Sequence, residues 1–326
     1  MGQDLFKGDA YFRGLVSLAS DLTHEDLEKL CLRGPERKLR KAQFLQPLLA
    51  AVSLGYLSHV REAGIAPRVV LGHSLGEITS LAASGVIRDE DVVAIAAKRG
   101  ELMDDAASKC NGTMMAVLFM ALDKVNELLA ETNAFFRATS GGPFGLSLGD
   151  PRDKSSGLPD RIVLANDNAP NQIVVSGDVE ALDEFSRRVA GRGLGKCKSI
   201  LVSGPWHSPF MASAHDLFRA WVAAIPFSVP SVSLVLNGTA RSESDPEVIR
   251  QLITDQLVKP VQWRRSMDAV RDLRPDAILE IGPGRILSGL IRVNGFPKKM
   301  VVYNINNLAG LHRAVLELPR AQSCFE

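Results

Sequence analysis

A short apolar run leads directly into a helical pattern, and the junction between them dominates the chain. Residues 69–71 are Val-Val-Leu, and the segment 72–76 that follows reads Gly-His-Ser-Leu-Gly. The apolar residues after it share one helical face: Leu75, Ile78, Leu81 and Ala82. This pattern predicts a buried strand that turns sharply into a helix at Ser74, with the glycines allowing the turn and close packing of helix on strand. Ser74 is therefore a candidate nucleophile, because the first N–H groups of the helix, that of Leu75 in particular, can hold an oxyanion.

The rest of the chain alternates helical and strand patterns around this junction. Helices are predicted over residues 1–30, 43–60, 210–224, 246–257, 266–273, 286–292 and 308–316, and a further helix is predicted to start at Asp89 and to include Arg99. Strands are predicted over residues 234–236, 277–281 and 300–304. This alternation predicts an α/β domain with a mostly parallel sheet.

The pattern of predicted strands and helices changes near residue 112, where a second structural unit begins. Strands are predicted over residues 113–120, 161–165, 172–176 and 199–202, with helices over 123–132 and 179–190. This order is typical of a split βαβ unit. We therefore predict a large domain of residues 1–111 and 203–326, interrupted by a subdomain of residues 112–202. A Gly/Ser/Pro-rich segment between residues 139 and 159 is interpreted as an exposed, mobile loop.

The composition of the chain argues against several classes of partner and location. A net charge of +1 gives no reason to expect nucleic acid or a membrane as a partner. No apolar run reaches the ~20 residues of a membrane-spanning helix, and no signal-peptide core begins the chain. The four cysteines are far apart and form no Cys/His cluster, so we expect neither a metal site nor disulfides, and a cytoplasmic location.

Two further residues could carry chemistry beside the serine. His207 lies in a turn-rich segment before a predicted helix, which suits an imidazole presented into a cleft, although a loop histidine without a chemical role fits as well. Arg99 lies on a helix, where an ordinary surface arginine is the alternative. Gly-Pro-Gly at 282–284 lacks the third glycine of a dinucleotide loop, so a tight turn is the better interpretation.

Five separate stretches agree with one known family. They are Gly-His-Ser-Leu-Gly-Glu at 72–77, Arg-Gly-Glu-Leu-Met at 99–103, Asn-Ala-Pro-Asn-Gln-Ile-Val-Val-Ser-Gly at 168–177, Ser-Gly-Pro-Trp-His-Ser-Pro at 203–209 and Glu-Ile-Gly-Pro-Gly at 280–284. In this order and spacing they resemble malonyl-CoA:acyl carrier protein transacylases and the acyltransferase domains of polyketide synthases. The resemblance implies a hydrolase-like α/β core with an inserted ferredoxin-like subdomain.

The resemblance also implies a ping-pong transfer of malonyl from malonyl-CoA to the phosphopantetheine thiol of an acyl carrier protein, for fatty-acid or polyketide synthesis. Ser74 would attack the thioester, with His207 moving the proton and the backbone carbonyl of Gln256 orienting the imidazole. Arg99 would pair with the free carboxylate of malonate, and Gln46 would line the same pocket. No metal and no bound cofactor are implied.

Two residues flank this machinery in the sequence and are assigned to substrate binding by the same resemblance. His73 precedes the nucleophile and Trp206 precedes His207. A bulky ring at 206 should leave little room for an α-methyl group, so we expect malonyl to be preferred over methylmalonyl by ~10–200-fold.

Two basic clusters bear on the partner protein. One lies in the inserted subdomain and consists of Arg187, Arg188, Arg192, Lys196 and Lys198; the other is an early basic loop with Arg33, Arg37, Lys38, Arg40 and Lys41. Each is either a solvated face or a docking surface for an acidic carrier protein.

The chain departs from the family at its start. Members usually begin with a strand that ends in Gly-Gln-Gly-Ser-Gln, and the sequence from Met1 resembles the stretch after it. That loop's second glutamine donates the other oxyanion N–H, and loss of one such donor typically costs ~10²–10³ in kcat. We therefore expect either a true start upstream of Met1, or a chain that is a fragment or a decayed copy.

Three other functions remain open from the sequence alone. An acyl hydrolase of the same fold is disfavoured by Arg99, which simple acyl chains do not need. A generic esterase would want its histidine near the end of the chain, where His312 lies within a helix and looks structural. The protein could also be a catalytically weak homologue that only binds carrier protein.

Overall fold

The computed structural model of the chain describes residues 1–139 and 160–318. The helices are α1 (Ala10–Thr23), α2 (Leu27–Arg33), α3 (Glu36–Leu39), α4 (Ala42–Glu62), α5 (Leu75–Ala83), α6 (Asp89–Ser108), α7 (Leu122–Thr139), α8 (Val179–Gly191), α9 (Ala212–Val222), α10 (Pro246–Asp255), α11 (Trp263–Asp272), α12 (Ile286–Val293) and α13 (Leu308–Glu317), with short 3₁₀ turns at Leu5–Lys7 and Pro209–Met211. The strands are β1 (Val69–Val70), β2 (Gly112–Leu118), β3 (Ile162–Ala169), β4 (Gln172–Asp178), β5 (Lys196–Ser199), β6 (Ser233–Leu236), β7 (Arg241–Glu243), β8 (Ala277–Ile281) and β9 (Val301–Ile305).

The large domain contains two sheets built on parallel pairs. In one, β1 runs parallel to β6, with Val69 opposite Ser233, and β7 adds an antiparallel edge. In the other, β8 runs parallel to β9. Helices pack around both sheets, which confirms the predicted α/β class. Within the described part of the chain, no strand joins β1 to β8, so the two sheets stay separate.

Helices α4 and α6 form the packing centre of the large domain. Of the 21 residues of α4, 13 are buried, because its Leu, Ala and Val residues surround the helix rather than marking one face. The two helices approach closely at Gly100, where a Cβ would lie 2.3 Å from the carbonyl oxygen of Ala42. This close contact places Arg99 of α6 beside Gln46 of α4.

The inserted subdomain has its own sheet and core. Its strands lie in the order β3-β4-β2-β5, all antiparallel, which is the ferredoxin-like arrangement. Helices α7 and α8 pack on the sheet, and α8 starts where the side chain of Asp178 accepts the N–H of Ala181 at 3.0 Å. The predicted βαββαβ unit is therefore present within residues 112–199.

Several predicted boundaries were wrong. The last subdomain strand is Lys196–Ser199, earlier than the predicted 199–202, because the chain turns after Ile200, where the N–H of Val202 donates to the carbonyl of Ile200 at 3.0 Å. The early basic segment is not wholly a loop, since it contains the short helix α3. The edge strand β7 was missed, because three polar residues show no alternation of apolar positions. Residues 140–159, predicted as a mobile loop, lie outside the described residues.

Among residues 1–139 and 160–318, no helix is both long enough and apolar enough to cross a membrane.

Candidate active site

Ser74 lies at a strained turn between β1 and α5. Its φ of 52° and ψ of −108° are unusual for a residue with a side chain, and such strain is often found at functional sites. A Cβ at Gly72 would fall 1.9 Å from the backbone carbon of Gly76, so only glycine fits at 72. A Cβ at Gly76 would meet open space. The expectation that both glycines are needed for close packing was therefore wrong for Gly76.

Ser74, His207 and Gln256 form a hydrogen-bonded chain. The Nε2 atom of His207 lies 2.9 Å from the Oγ of Ser74, and its Nδ1 lies 2.7 Å from the backbone carbonyl oxygen of Gln256. A carbonyl oxygen can only accept, so Nδ1 carries the proton and Nε2 is left to accept the serine hydroxyl proton. This is the geometry of a nucleophile with a general base and a group that orients the base.

His207 is buried, with 4% of its surface exposed. Burial, and next the positive charge of Arg99, lower the pKa of this imidazole to about 3. The neutral ring that a general base requires is therefore the stable form at physiological pH. Like Ser74, His207 has a positive φ, here 57°, so both partners are held in strained backbone conformations.

Arg99 is 1% exposed and points at the nucleophile. Its Nη1 donates to the Oε1 of Gln46 at 2.7 Å, and its Nη2 donates to the Oε1 of Gln256 at 2.7 Å. Nη2 also lies 3.3 Å from the Oγ of Ser74. The Nε atom is buried and has no hydrogen-bond partner among the described residues. Burial lowers the pKa of the guanidinium to about 10, so it keeps its charge at pH 7. An anionic group joined to Ser74 would lie within reach of this cation.

Two further side chains complete the hydrogen-bond network. The sequence alone had indicated no role for either of them. Glu77, 1% exposed, accepts from the side chain of Gln256 and from the backbone N–H of Asn237 in short hydrogen bonds. Burial raises the pKa of this carboxyl to about 7. Asn237 holds the turn from both sides, since its Oδ1 accepts the N–H of Ser74 at 2.9 Å and its Nδ2 donates to the carbonyl of Gly72 at 2.7 Å. Its position just after β6, beside the parallel strand β1, was the signal that could have revealed it.

The other predicted site residues lie around this centre. Leu75 is the first residue of α5, so its N–H has no acceptor within the helix. Gln46 is buried against Met103, with its Nε2 3.4 Å from the sulfur. His73 lies 2.7 Å from the Oδ1 of Asn168, and burial lowers its pKa.

Trp206 lies where the two domains meet. It is half-buried and packs against the apolar core of the large domain and against a small apolar cluster of the subdomain sheet that contains Met114 and Val174. A Cβ at Gly204 would fall 2.6 Å from the indole, so that glycine makes room for the ring.

The basic cluster of the subdomain is partly neutralised. Arg188 and Arg192 both reach Glu131 on α7, at 3.4 and 2.5 Å, and Arg187 pairs with Glu184. Lys196 and Lys198 on β5 are exposed and make no ion pair with a described residue. In the early segment, Lys38 pairs with Glu25 and Arg40 with Glu36, both at 2.5 Å.

No group of three or more His, Cys, Asp or Glu side chains within residues 1–139 and 160–318 is placed to hold an ion.

Comparison with known proteins bears on this constellation. The family model described as acyl transferase domain matches residues 1–133 and 136–293. The chain is 32% identical over 312 residues to the malonyl CoA-acyl carrier protein transacylase of Staphylococcus aureus (strain COL), covering 95% of this chain and 93% of that relative. It is 33% identical over 296 residues to the polyketide biosynthesis protein ThaF of Burkholderia thailandensis, covering 90% of this chain and 23% of ThaF.

Solved structures give the same result. The malonyl-CoA:acyl carrier protein transacylase (FabD) of Xanthomonas oryzae pv. oryzae superposes with a TM-score of 0.83 at 30% identity, over 97% of this chain and 92% of that one. The malonyl-transacylase PlMCAT, solved in complex with the type II PKS acyl-carrier protein AntF, gives 0.84 at 27% identity, over 98% and 95%. The chain therefore belongs to the acyl transferase family, that of malonyl-CoA:acyl carrier protein transacylases and polyketide synthase acyltransferase domains, as its five sequence stretches predicted.

Proposed function

We propose that this protein transfers a malonyl group from malonyl-CoA to the phosphopantetheine thiol of an acyl carrier protein, in fatty-acid or polyketide synthesis. The observation that carries the proposal is the position of a buried guanidinium 3.3 Å from a serine hydroxyl that is itself hydrogen-bonded to a neutral histidine. A serine and a histidine alone suit many acyl groups. The cation selects those with a free carboxylate.

The first half-reaction forms an ester on Ser74. The hydroxyl attacks the thioester carbonyl while the Nε2 of His207 takes its proton, and the backbone N–H of Leu75 donates to the oxyanion. The imidazolium that forms keeps its Nδ1–H on the carbonyl oxygen of Gln256, 2.7 Å away. When the tetrahedral intermediate collapses, the C–S bond breaks, and His207 returns its proton to the leaving thiolate of CoA.

The second half-reaction reverses these roles. His207 accepts the proton of the phosphopantetheine thiol, and the thiolate attacks the malonyl ester. The ester C–O bond breaks and the proton returns to the Oγ of Ser74. The chain's own residues supply every group in this scheme, so the proposal includes no bound cofactor and no metal.

Malonyl recognition is assigned to Arg99. The carboxylate of a malonyl group on Ser74 lies one methylene beyond the ester carbonyl, within reach of a guanidinium whose Nη2 is 3.3 Å from the Oγ. The unpartnered buried Nε offers a donor that the described residues do not satisfy. Gln46 and Gln256 accept from Nη1 and Nη2, each at 2.7 Å, and so hold the guanidinium in position.

Trp206 is assigned the exclusion of an α-methyl group, as a ring directly before His207. Replacement by serine would then raise kcat/KM for methylmalonyl-CoA relative to malonyl-CoA by ~10-fold or more. An unchanged ratio in a folded variant would contradict this role. His73, whose ring is fixed on Asn168 and stacks edge-on against Trp263 at 5.3 Å, is assigned to the wall beside the nucleophile.

The carrier protein is proposed to dock on the basic face of the subdomain. Lys196 and Lys198 make the larger contribution, because Arg187, Arg188 and Arg192 already have acidic partners. Reversal of both lysine charges should raise the KM for carrier protein and reduce its salt dependence, leaving the KM for malonyl-CoA unchanged. We place the activity in the cytoplasm, where malonyl-CoA and carrier proteins meet.

Steady-state kinetics test the proposal against hydrolysis and against simple binding. With both substrates varied, ping-pong transfer gives parallel double-reciprocal lines and malonyl-carrier protein as product. Release of free malonate at the same rate without carrier protein would identify a hydrolase. Absence of turnover, with carrier binding retained, would identify a binding protein.

A further inference from the structure

The proposed mechanism leaves one buried charged group of the site without a role. Glu77 lies on α5 three residues after the nucleophile and is 1% exposed. Burial of an ionised carboxylate is costly unless hydrogen bonds and a counter-charge stabilise it. Two hydrogen bonds to Glu77 supply the first, and the nearby positive charge of Arg99, which does not touch the carboxyl, supplies the second.

Each oxygen of the Glu77 carboxylate has its own donor. Oε1 accepts the backbone N–H of Asn237, and Oε2 accepts the Nε2 of Gln256. The same Gln256 amide has two further contacts, since its Nε2 donates to the carbonyl of Ser74 at 3.1 Å and its Oε1 accepts from the Nη2 of Arg99 at 2.7 Å. Gln256 therefore connects the carboxylate to the guanidinium.

The orientation of this amide is determined at both ends. A guanidinium only donates, so the oxygen of Gln256 must face Arg99. Its nitrogen then donates to Oε2 of Glu77 and to the carbonyl of Ser74. If the amide were reversed, its NH₂ group would face the N–H groups of Arg99, so that two donors would meet. Its oxygen would face the acceptor oxygens of Glu77 and of the Ser74 carbonyl. Glu77 thus supports, from the far end of the amide, the orientation in which the oxygen of Gln256 meets the arginine.

We propose that Glu77 is a positioning residue for acyl-group selection, which fixes the amide of Gln256 so that the guanidinium of Arg99 faces the carboxylate of the acyl group. The inference rests on the proposed function, in which Arg99 receives that carboxylate. Glu77 touches neither the substrate nor the reacting atoms and acts through Gln256. Its negative charge also counteracts the effect of burial on Arg99, since it raises a guanidinium pKa that desolvation lowers.

Glu77→Gln is the informative change, because it keeps the shape of the side chain and removes an acceptor. The backbone N–H of Asn237 cannot turn away, so the remaining oxygen of residue 77 stays on it. The new NH₂ group then opposes the Nε2 of Gln256, and the amide of Gln256 leaves its place against Arg99. Glu280→Gln is a matched control, because this buried glutamate accepts the N–H groups of Leu287 and Ser288 at 2.9 and 2.8 Å.

Binding to the Ser74→Ala protein separates selection from chemistry. Calorimetric titration with malonyl-CoA and with acetyl-CoA, which lacks the carboxylate, gives the preference as a ratio of Kd values. We expect Glu77→Gln in this background to lower the preference for malonyl-CoA by ~10-fold or more, the effect of losing one hydrogen bond to a charged group. Glu280→Gln should lower thermal stability and leave the preference unchanged.

A folded Glu77→Gln variant with an unchanged preference would overturn the inference. If that variant does not fold, Glu77→Asp keeps the charge but draws the carboxylate back from Gln256, and the preference should fall in the same direction; an unchanged preference there also overturns it. The proposed function fails separately. If the wild type transfers malonyl and Glu77→Gln retains the preference for malonyl-CoA, only the inference is refuted. If Glu77→Gln lowers that preference but the wild type transfers no malonyl, only the proposed function is refuted.

Discussion

Replacement of Arg99 by lysine separates the geometry of the acyl pocket from its charge. The guanidinium donates from Nη1 to Gln46 and from Nη2 to Gln256, both at 2.7 Å. A single ammonium cannot occupy both positions and also meet a carboxylate with two parallel hydrogen bonds. The lysine variant keeps the positive charge and loses the pair of donor nitrogens.

The magnitude follows from the hydrogen bond that an ammonium cannot make. A hydrogen bond to a charged group contributes about 1.5–3 kcal/mol. Removal of one such bond to the malonyl carboxylate should lower kcat/KM for malonyl-CoA by roughly 10- to 150-fold, at about 1.4 kcal/mol per factor of ten. An acetyl group makes no such bond, so kcat/KM for acetyl-CoA should change by less than about 3-fold.

The assay is the initial rate of CoA release with each acyl donor, at a fixed concentration of a carrier-protein thiol. Arg161→Lys serves as the matched control, because Arg161 also donates from two guanidinium nitrogens, Nε to Asp178 and Nη2 to Glu180, in the subdomain. That variant should leave both values of kcat/KM unchanged. Equal losses for malonyl and acetyl donors in Arg99→Lys would refute the assignment of this arginine to the carboxylate.

Three further outcomes follow from the site. Gly72→Ala should prevent folding or lower the thermal midpoint steeply, because its Cβ would overlap the backbone of Gly76, whereas Gly76→Ala should leave the midpoint nearly unchanged; equal effects in thermal denaturation would contradict the packing argument. The imidazole ¹⁵N signals of His207 should keep their neutral-ring values from pH 8 down to 5, since burial lowers its pKa to about 3, and a titration centred near 6.5 would be the wrong result. The carboxyl of Glu77 has its pKa raised from 4.5 to about 7 by burial, so folding favours its protonated form; its contribution to the free energy of unfolding is present below pH 4.5 and lost as pH rises toward 7. Chemical denaturation at pH 5 and 8 should show that Glu77→Gln lacks this decrease in the free energy of unfolding. An equal decrease in the wild type and the variant would contradict the assignment to Glu77.

The sequence predicted those features that depend on local pattern. The turn at Ser74, the helix that carries Arg99 and the succession of strands and helices along the subdomain all follow from residues close together in the chain. Strand β7 and the start of β5 were missed or displaced, because short polar strands are defined by their partners. Resemblance to a family identified Gln256 through its backbone carbonyl. It did not reveal the second contact of that residue, made by its side chain.

Glu77 and Asn237 show more clearly which contacts local sequence patterns cannot predict. Glu77 is within the most recognisable motif of the chain, and yet its pattern is that of an exposed first-turn acid, which favours a helix N-terminus in any protein. Its burial depends on Asn237 and Gln256, which are 160 and 179 residues away. No periodicity connects positions so far apart, so this part of the network emerges only from the three-dimensional structure.

The most direct test of the central claim is the mass of the protein during one reaction cycle. After mixing with malonyl-CoA, intact-mass spectrometry should show one malonyl adduct, localised by peptide mapping to the segment that contains Ser74. Addition of holo acyl carrier protein should remove the adduct and load the carrier, and Ser74→Ala should form none. An adduct on another residue, or loss of the malonyl group to water at the same rate without carrier protein, would contradict the account.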